Sequence, residues 1–357
     1  MNFTTLFVDL VDSWWEGARW TVDTMWRELG ASTPDPPAVT PYQVIYESGK
    51  LRLRHYRATG VARSTPVVLV YSLIKRPFIL DLEPGTSVVE KLTRQGFEVF
   101  LTDWLPPISS DNWRDFQAYV SQDLAAGVRE VQLRGDVERV TILGYCLGAI
   151  LGLTYTALHP RDVKNLVTLA LPLDTSVRGS SLYSLIDWLD EQWVESLTSR
   201  YGNCPAWLLG AFFSLAMPMQ RMLGKYMGLE QFSERDRYTR ACPAFRSWLD
   251  SEVPIAGALF RELTIEVFRK NSLARGNFKI GDKVVDLKSI TSPILNVVAD
   301  FDVIVDPNSC LPLIEMVGSA DRRNLHFPTG HLGIALSEEA HATLWPQIGR
   351  WLGEHDN

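Results

Sequence analysis

Cysteine is scarce in this 357-residue chain: four residues, Cys146, Cys204, Cys242 and Cys310, stand far apart with no CxxC pair. No histidine lies near them at metal-ligand spacing, so a disulfide framework and a structural zinc site are both excluded as expectations. Basic residues are also in deficit. Thirty-five Lys and Arg against 42 Asp and Glu leave a net charge of −7, with no run of five or more basic residues. A general nucleic-acid binder needs a dense basic surface to neutralise phosphates, which this composition does not offer. No apolar run approaches the roughly 18 residues that a membrane span needs. The first residues carry Asp9 and Asp12 where a secretory signal would be basic, so a cytoplasmic, reduced protein is expected. A phosphate-binding P-loop, a dinucleotide fingerprint, a carboxylate pair for glycoside chemistry and internal repeats are all missing. What remains is a chain that is 46% hydrophobic and 22% charged, the balance of a globular protein.

Along that chain, residues 3–29 set Phe3, Leu6, Phe7, Leu10, Val11, Trp14 and Trp15 at near-helical spacing, and the proline-rich STPDPPAVTP stops the pattern. An N-terminal helical arm over 1–40 is expected, packed on its own domain or docked to a partner or an apolar surface. From residue 42 the pattern alternates between strand and helix. VIYES and LRLRHYR read as an antiparallel pair, and VVLVYS, FEVFLTDW, RVTILGY and NLVTLALPL as buried strands with helices between them. Continuous Val/Ile/Leu strands separated by helices predict a mostly parallel sheet covered by helices on both faces. Residues 175–275 break the rhythm with Trp188, Trp193, Trp207, Trp248 and helical segments, and ILNVVAD, a helix from about Leu311 to Val317, and NLHFP then resume it. The expected organisation is an α/β-hydrolase core over 41–174 and 276–357, with a mainly helical cap inserted at 175–275.

Within the core, Gly144-Tyr145-Cys146-Leu147-Gly148 lies where a strand ends and a helix begins. It has the form of a G-x-S-x-G nucleophile elbow with cysteine in place of serine. Glycines two before and two after are needed because the nucleophile occupies a strained turn where a neighbouring Cβ would collide. The helix that follows points its N-terminal dipole at the sulfur and favours thiolate. A buried structural cysteine between chance glycines is the bland alternative. On such folds the acid follows a late strand and the histidine follows the last one. Asp302 after ILNVVAD and His331 in Gly330-His331-Leu332-Gly333 fit these places. Asp300 and Asp306 are the competing acids, while His326 falls in a strand and His341 in a helix. The oxyanion donors are expected at the backbone N–H of Leu147 and at Leu73 or Ile74 after VVLVYS. Lys75 and Arg76 in that loop read equally well as a phosphate hold or as a solvated loop end. The remaining cysteines lack flanking glycines and read as small buried hydrophobes.

These residues resemble the catalytic subunit of polyhydroxyalkanoate synthases of the short, two-component kind, classes III and IV. The resemblance is carried by YSLIKRPFILDLEPGTSVVEKLTRQGFEVFLTDW (71–104), GYCLG with YTALHPRDVKNLVTLALPLD (144–174), NSLARGNFKIGDKVVDLKSITSPILNV (271–297) and FPTGHLG (327–333). It implies Cys146 as nucleophile, His331 as base and Asp302 as third member. It also implies an acyltransferase that polymerises (R)-3-hydroxyacyl-CoA, short-chain units such as 3-hydroxybutyryl-CoA among them, with the CoA thioester as substrate and no cofactor. A second subunit of the PhaE or PhaR type, a homodimer or higher oligomer, and association with polyester granules in the cytoplasm are implied as well. The chain departs from the family pattern at Ala149, where a second glycine is usual, at Val303, where histidine follows the acid, and at Lys75, where asparagine is usual. A cysteine-elbow esterase or thioesterase with water as acceptor, and a non-catalytic granule-associated paralogue, are the competing readings.

Overall fold

The computed structural model describes residues 38–177, 180–212, 243–249 and 251–356. The expected arm with Phe3, Phe7, Trp14 and Trp15, and Cys242, lie outside those residues.

The strands are β1 (Gln43–Ser48), β2 (Leu51–Tyr56), β3 (Val67–Val70), β4 (Val99–Trp104), β5 (Val140–Tyr145), β6 (Val163–Leu169), a small hairpin of β7 (Lys279–Ile280) and β8 (Lys283–Val284), then β9 (Ile294–Ala299) and β10 (Arg322–Phe327). Eight of them form one sheet in the order β1-β2-β4-β3-β5-β6-β9-β10. β2 pairs antiparallel with β1 and β4, and every other pairing in that sheet is parallel. The fold is that of an α/β hydrolase.

The apolar runs are explained by burial on both faces, because alternate residues of one strand enter different cores. Val68, Val70, Val140 and Ile142 pack on one side with helices α2 (Ala125–Gly135) and α3 (Leu147–Leu158). Val67, Leu69, Leu143 and Tyr145 pack on the other with α1 (Val88–Arg94) and α8 (Trp345–Glu354). Between β6 and β9 the described helices include α4 (Ser181–Ile186), α5 (Glu191–Tyr201), α6 (Pro243–Leu249) and α7 (Gly257–Arg261), the last running on into wider turns over Glu262–Arg269, and residues 206–212 are helical as well. Val194, Leu197, Leu209, Phe260 and Leu263 from this insertion join the same apolar cluster as α3.

Two elements differ from the pattern reading. The helix expected from Leu311 to Val317 is two single turns, Pro307–Cys310 and Leu313–Met316, because Pro312 brings no N–H to bridge them. The strand expected over 165–173 ends at Leu169, since Ala170 takes φ 46° and turns the chain out of the sheet.

The order of the strands puts a switch point between β3 and β5, where successive connections leave in opposite directions. A crevice opens there beyond the strands' C-terminal ends. Beside it the sheet is tied by charge. Asp103 of β4 is fully buried, with Arg54 Nη2 2.6 Å and Arg76 Nη1 3.2 Å from its carboxylate oxygens. Removing the anion takes the shared partner from these two arginines and from Arg52, whose Nη1 lies 3.7 Å away, so Asp103→Ala should destabilise the fold by about 3–5 kcal/mol. Urea unfolding measures this, and a loss below about 1 kcal/mol would mean that the arginines find other acceptors.

Candidate active site

The elbow is built by close backbone contact. Cys146 joins β5 to α3 at φ 56° and ψ −122°, a conformation that costs a non-glycine residue energy and persists only when its surroundings impose it. The surroundings do so through the glycines. A Cβ on Gly144 would stand 2.5 Å from the Ala149 Cα, and one on Gly148 would stand 2.1 Å from the Val70 carbonyl oxygen. Cys146 N–H donates to the Leu169 carbonyl on β6 at 2.9 Å, which fixes the turn to the neighbouring strand. The Cys146 side chain is only partly buried. The first N–H groups of α3, those of Leu147 and Gly148, have no partner within the helix, which gives the sulfur a partially positive neighbourhood.

Two loops from the other half of the sheet bring the remaining groups. Asp302 follows β9, where its Oδ1 accepts the N–H groups of Ile304 (2.8 Å) and Val305 (2.9 Å). That leaves Oδ2 for His331 Nδ1, 2.6 Å away. His331 follows β10, and its imidazole lies close enough to the Cys146 side chain for the two to interact. Tyr145, next to the nucleophile position, donates its hydroxyl to the His331 carbonyl and packs its ring 5.3 Å from the imidazole. Cys146, His331 and Asp302 therefore meet, in that order. The competing groups are engaged elsewhere. Asp300 bonds His326 at 2.7 Å on the surface, Asp306 accepts the N–H of Asn308 at the start of the Pro307–Cys310 turn, and His341 bonds the Ala335 carbonyl. Cys204 and Cys310 are buried, and burial pushes both thiols up.

Above the sulfur lies an apolar cavity of about 100 Å³, walled by Ile74, Leu147 and Tyr183 and, from α7 and the turns beyond it, Phe260, Leu263 and Phe268. Of the two oxyanion candidates in the loop after β3, Ile74 lines this cavity and Leu73 does not, although both side chains also pack into the core and the Ile74 N–H has a long contact to Ser72 Oγ at 3.5 Å. Leu147 lines the same cavity. Of the two readings of Lys75 and Arg76, the solvated loop end is corrected. Lys75 Nζ lies 2.6 Å from Glu252 and Arg76 pairs with Asp103, so both cations are taken up inside the fold. The segment around Trp248 and Glu252 had no site signal in the sequence, because its role depends on which loop it meets.

His331 is the most perturbed of the described histidines. Burial acts to lower its pKa, but the charges of Asp302 and Cys146 and the side-chain interactions with both outweigh it, and the value is pushed up to about 10 from the ordinary 6.5. His159 and His341 are lowered, chiefly by burial. At pH 8 the His331 ring should thus hold both protons while His159 and His341 have lost their charge, as ¹⁵N-resolved imidazole spectra would show. A raised folded-state pKa contributes stability that is complete below about pH 6.5 and is lost as pH rises through about 10. The advantage over His331→Gln in urea unfolding should shrink across that window, and an advantage that grew with pH would contradict the assignment.

A family model for the alpha/beta hydrolase fold matches residues 65–335. The Paleococcus ferrophilus monoacylglycerol lipase superposes with a TM-score of 0.53 over 86% of this chain and 100% of that one, at 16% identity, a likeness of fold alone. Sequence relatives are nearer. The chain is 33% identical over 360 residues to the poly(3-hydroxyalkanoate) polymerase subunit PhaC of Haloferax mediterranei, covering 99% of this chain and 73% of that one. It is 31% identical over 319 residues to the subunit of the same name from Allochromatium vinosum, covering 88% and 89%. Similarity at this level along nearly the whole chain, on a hydrolase sheet that carries a cysteine at its elbow, means that the chain belongs to the PhaC subunit family of poly(3-hydroxyalkanoate) polymerases.

Proposed function

We propose that this chain is the catalytic subunit of a synthase that polymerises (R)-3-hydroxyacyl-CoA, with Cys146, His331 and Asp302 as its triad. The observation that carries the reading is the continuous line from the Cys146 side chain through His331 to the Asp302 carboxylate, beneath an apolar cavity. The Cys146 thiolate attacks the thioester carbonyl, and the N–H groups of Leu147 and of Leu73 or Ile74 receive the oxyanion. Collapse breaks the bond to CoA, which leaves as a thiol after taking a proton from His331. One thioester replaces another, so this step is nearly balanced in energy and the acyl group stays transferable. His331, held by Asp302, then accepts the proton of the 3-hydroxyl of the next unit as that oxygen attacks the acyl-cysteine. An ester forms, and the thiolate is released.

The cavity supports a short acyl unit. An apolar cavity of roughly 150 Å³ accepts benzene, and the one here is about 100 Å³. Residues 175–275 act as the cap in this reading and keep water from the acyl-enzyme, where hydrolysis would end the chain. Trp188 on that segment is 63% exposed, a surface suited to a second subunit or to the polyester granule. Among the described residues no helix is long and apolar enough to cross a membrane.

Cys146→Ala should abolish CoA release from 3-hydroxybutyryl-CoA while the circular dichroism spectrum stays unchanged, and Cys146→Ser should keep only a small remnant. Turnover near the parent rate in Cys146→Ala would reject the mechanism. Free 3-hydroxy acid without polymer would replace the polymerase by a hydrolase. Asp302→Asn should slow chain elongation more than the first acylation, since only elongation needs an activated hydroxyl. Intact-mass measurement should then find acyl-enzyme trapped on that variant, and equal loss of both steps would reject the division of roles.

A further inference from the structure

The loop that leaves β3 is held from two sides by consecutive cations. Arg76 reaches back to the sheet, to Asp103. Lys75 reaches the other way, into the insertion. Its Nζ lies 2.6 Å from Glu252 Oε1, donates to the carbonyls of Trp248 (3.3 Å) and Leu249, and stands 5.1 Å from the centre of the Trp248 ring. The backbones are joined too. Lys75 and Glu252 form an isolated antiparallel bridge, and Val253 N–H donates to the Ile74 carbonyl at 3.0 Å. Trp248 Nε1 donates to the Arg76 carbonyl at 3.0 Å. Both charged side chains are largely withdrawn from solvent, Lys75 to 11% exposure and Glu252 to 19%. Three residues beyond Glu252, Ile255 lines the cavity over Cys146 together with Ile74.

A lysine committed to one carboxylate, two carbonyls and a ring face does not serve as a spare positive charge for a ligand. We propose that Lys75 is a positioning residue. Its ion pair with Glu252 sets the loop of Leu73 and Ile74 against the elbow, so that the oxyanion donor on this side stands in place only when Trp248, Glu252 and Val253 are seated. The proposal rests on the reading of Cys146 as nucleophile. Neither side chain touches the reacting atoms; they act through the backbone of the residue before Lys75. A misplacement of about 1 Å in such a group costs on the order of 100-fold in rate, and outright loss of one oxyanion donor costs about 10²–10³.

The test compares the parent protein with Lys75→Met, with Lys75→Glu, with Glu252→Gln and with the exchanged pair Lys75→Glu plus Glu252→Lys. Two quantities are read: steady-state CoA release from 3-hydroxybutyryl-CoA, and the rate of Cys146 alkylation by iodoacetamide, which needs the thiolate and His331 but no oxyanion donor. Each single variant should lose about 10- to 100-fold in kcat, with KM and the alkylation rate within about threefold of the parent. The exchanged pair should recover at least about fivefold over Lys75→Glu alone. Glu252→Gln keeps the shape of the side chain, so it reads the ion pair even where Lys75→Met does not fold. An unchanged kcat in folded Glu252→Gln overturns the proposal. So does a rise in KM alone, which would make Lys75 a contact for the CoA phosphates, or a parallel fall in alkylation, which would make the pair merely structural. Turnover by Cys146→Ala would instead remove the nucleophile reading on which the proposal stands.

Discussion

The site depends on one steric fact: where β5 passes into α3 there is no room for a side chain two residues before or two residues after Cys146. With the Gly148 Cα pressed against the Val70 carbonyl and Gly144 against the first turn of the helix, three backbones meet at van der Waals distance. That contact holds Cys146 at a positive φ and aims its side chain out of the sheet. It also sets the end of β3, and so the start of the loop toward Lys75, at a fixed distance from the nucleophile position. Strain at one residue is sustained by the packing of its neighbours, which is how a folded core stores a conformation that a free chain would avoid.

The two other members of the candidate triad arrive from far along the chain, and each is oriented before it meets the cysteine. Asp302 is locked by two backbone N–H groups from its own loop, so only one of its oxygens is left to face His331. His331 is gripped at its carbonyl by the hydroxyl of Tyr145. The residue inside the elbow motif thus ties nucleophile and base loops together, and the imidazole has little freedom to turn away. Preorganisation of this kind leaves less reorganisation for the reaction itself.

The parts of the molecule that were legible in the sequence are those with local causes. Runs of Val, Ile and Leu report burial on both faces, and glycines around Cys146 report the elbow. The positions of Asp302 and His331 after their strands follow from the order of the α/β pattern. Among three nearby acids, however, only coordinates separate Asp302 from Asp300 and Asp306, since the difference lies in which loop each side chain caps. Lys75 was misread for a similar reason. A lysine beside an arginine in a loop looks solvated, and its partner Glu252 is 177 residues away. Ion pairs formed across an insertion leave no periodicity to read. Pro312 did carry a local signal, since a proline in a predicted helix marks a break.

The strand that delivers His331 lies at an edge of the sheet and, among the described residues, is bonded to β9 alone. Edge strands are the first to open when a sheet fluctuates, because only one ladder holds them and no neighbour covers the other side. The proposed nucleophile, by contrast, leaves β5, with β3 and β6 on either flank. Partial opening of the native state would therefore separate the proposed proton carrier from a sulfur still held in its elbow. In a cell the cost of such fraying is a chemical one: a thiol exposed to stray oxidants and electrophiles without the partner that gives it productive work.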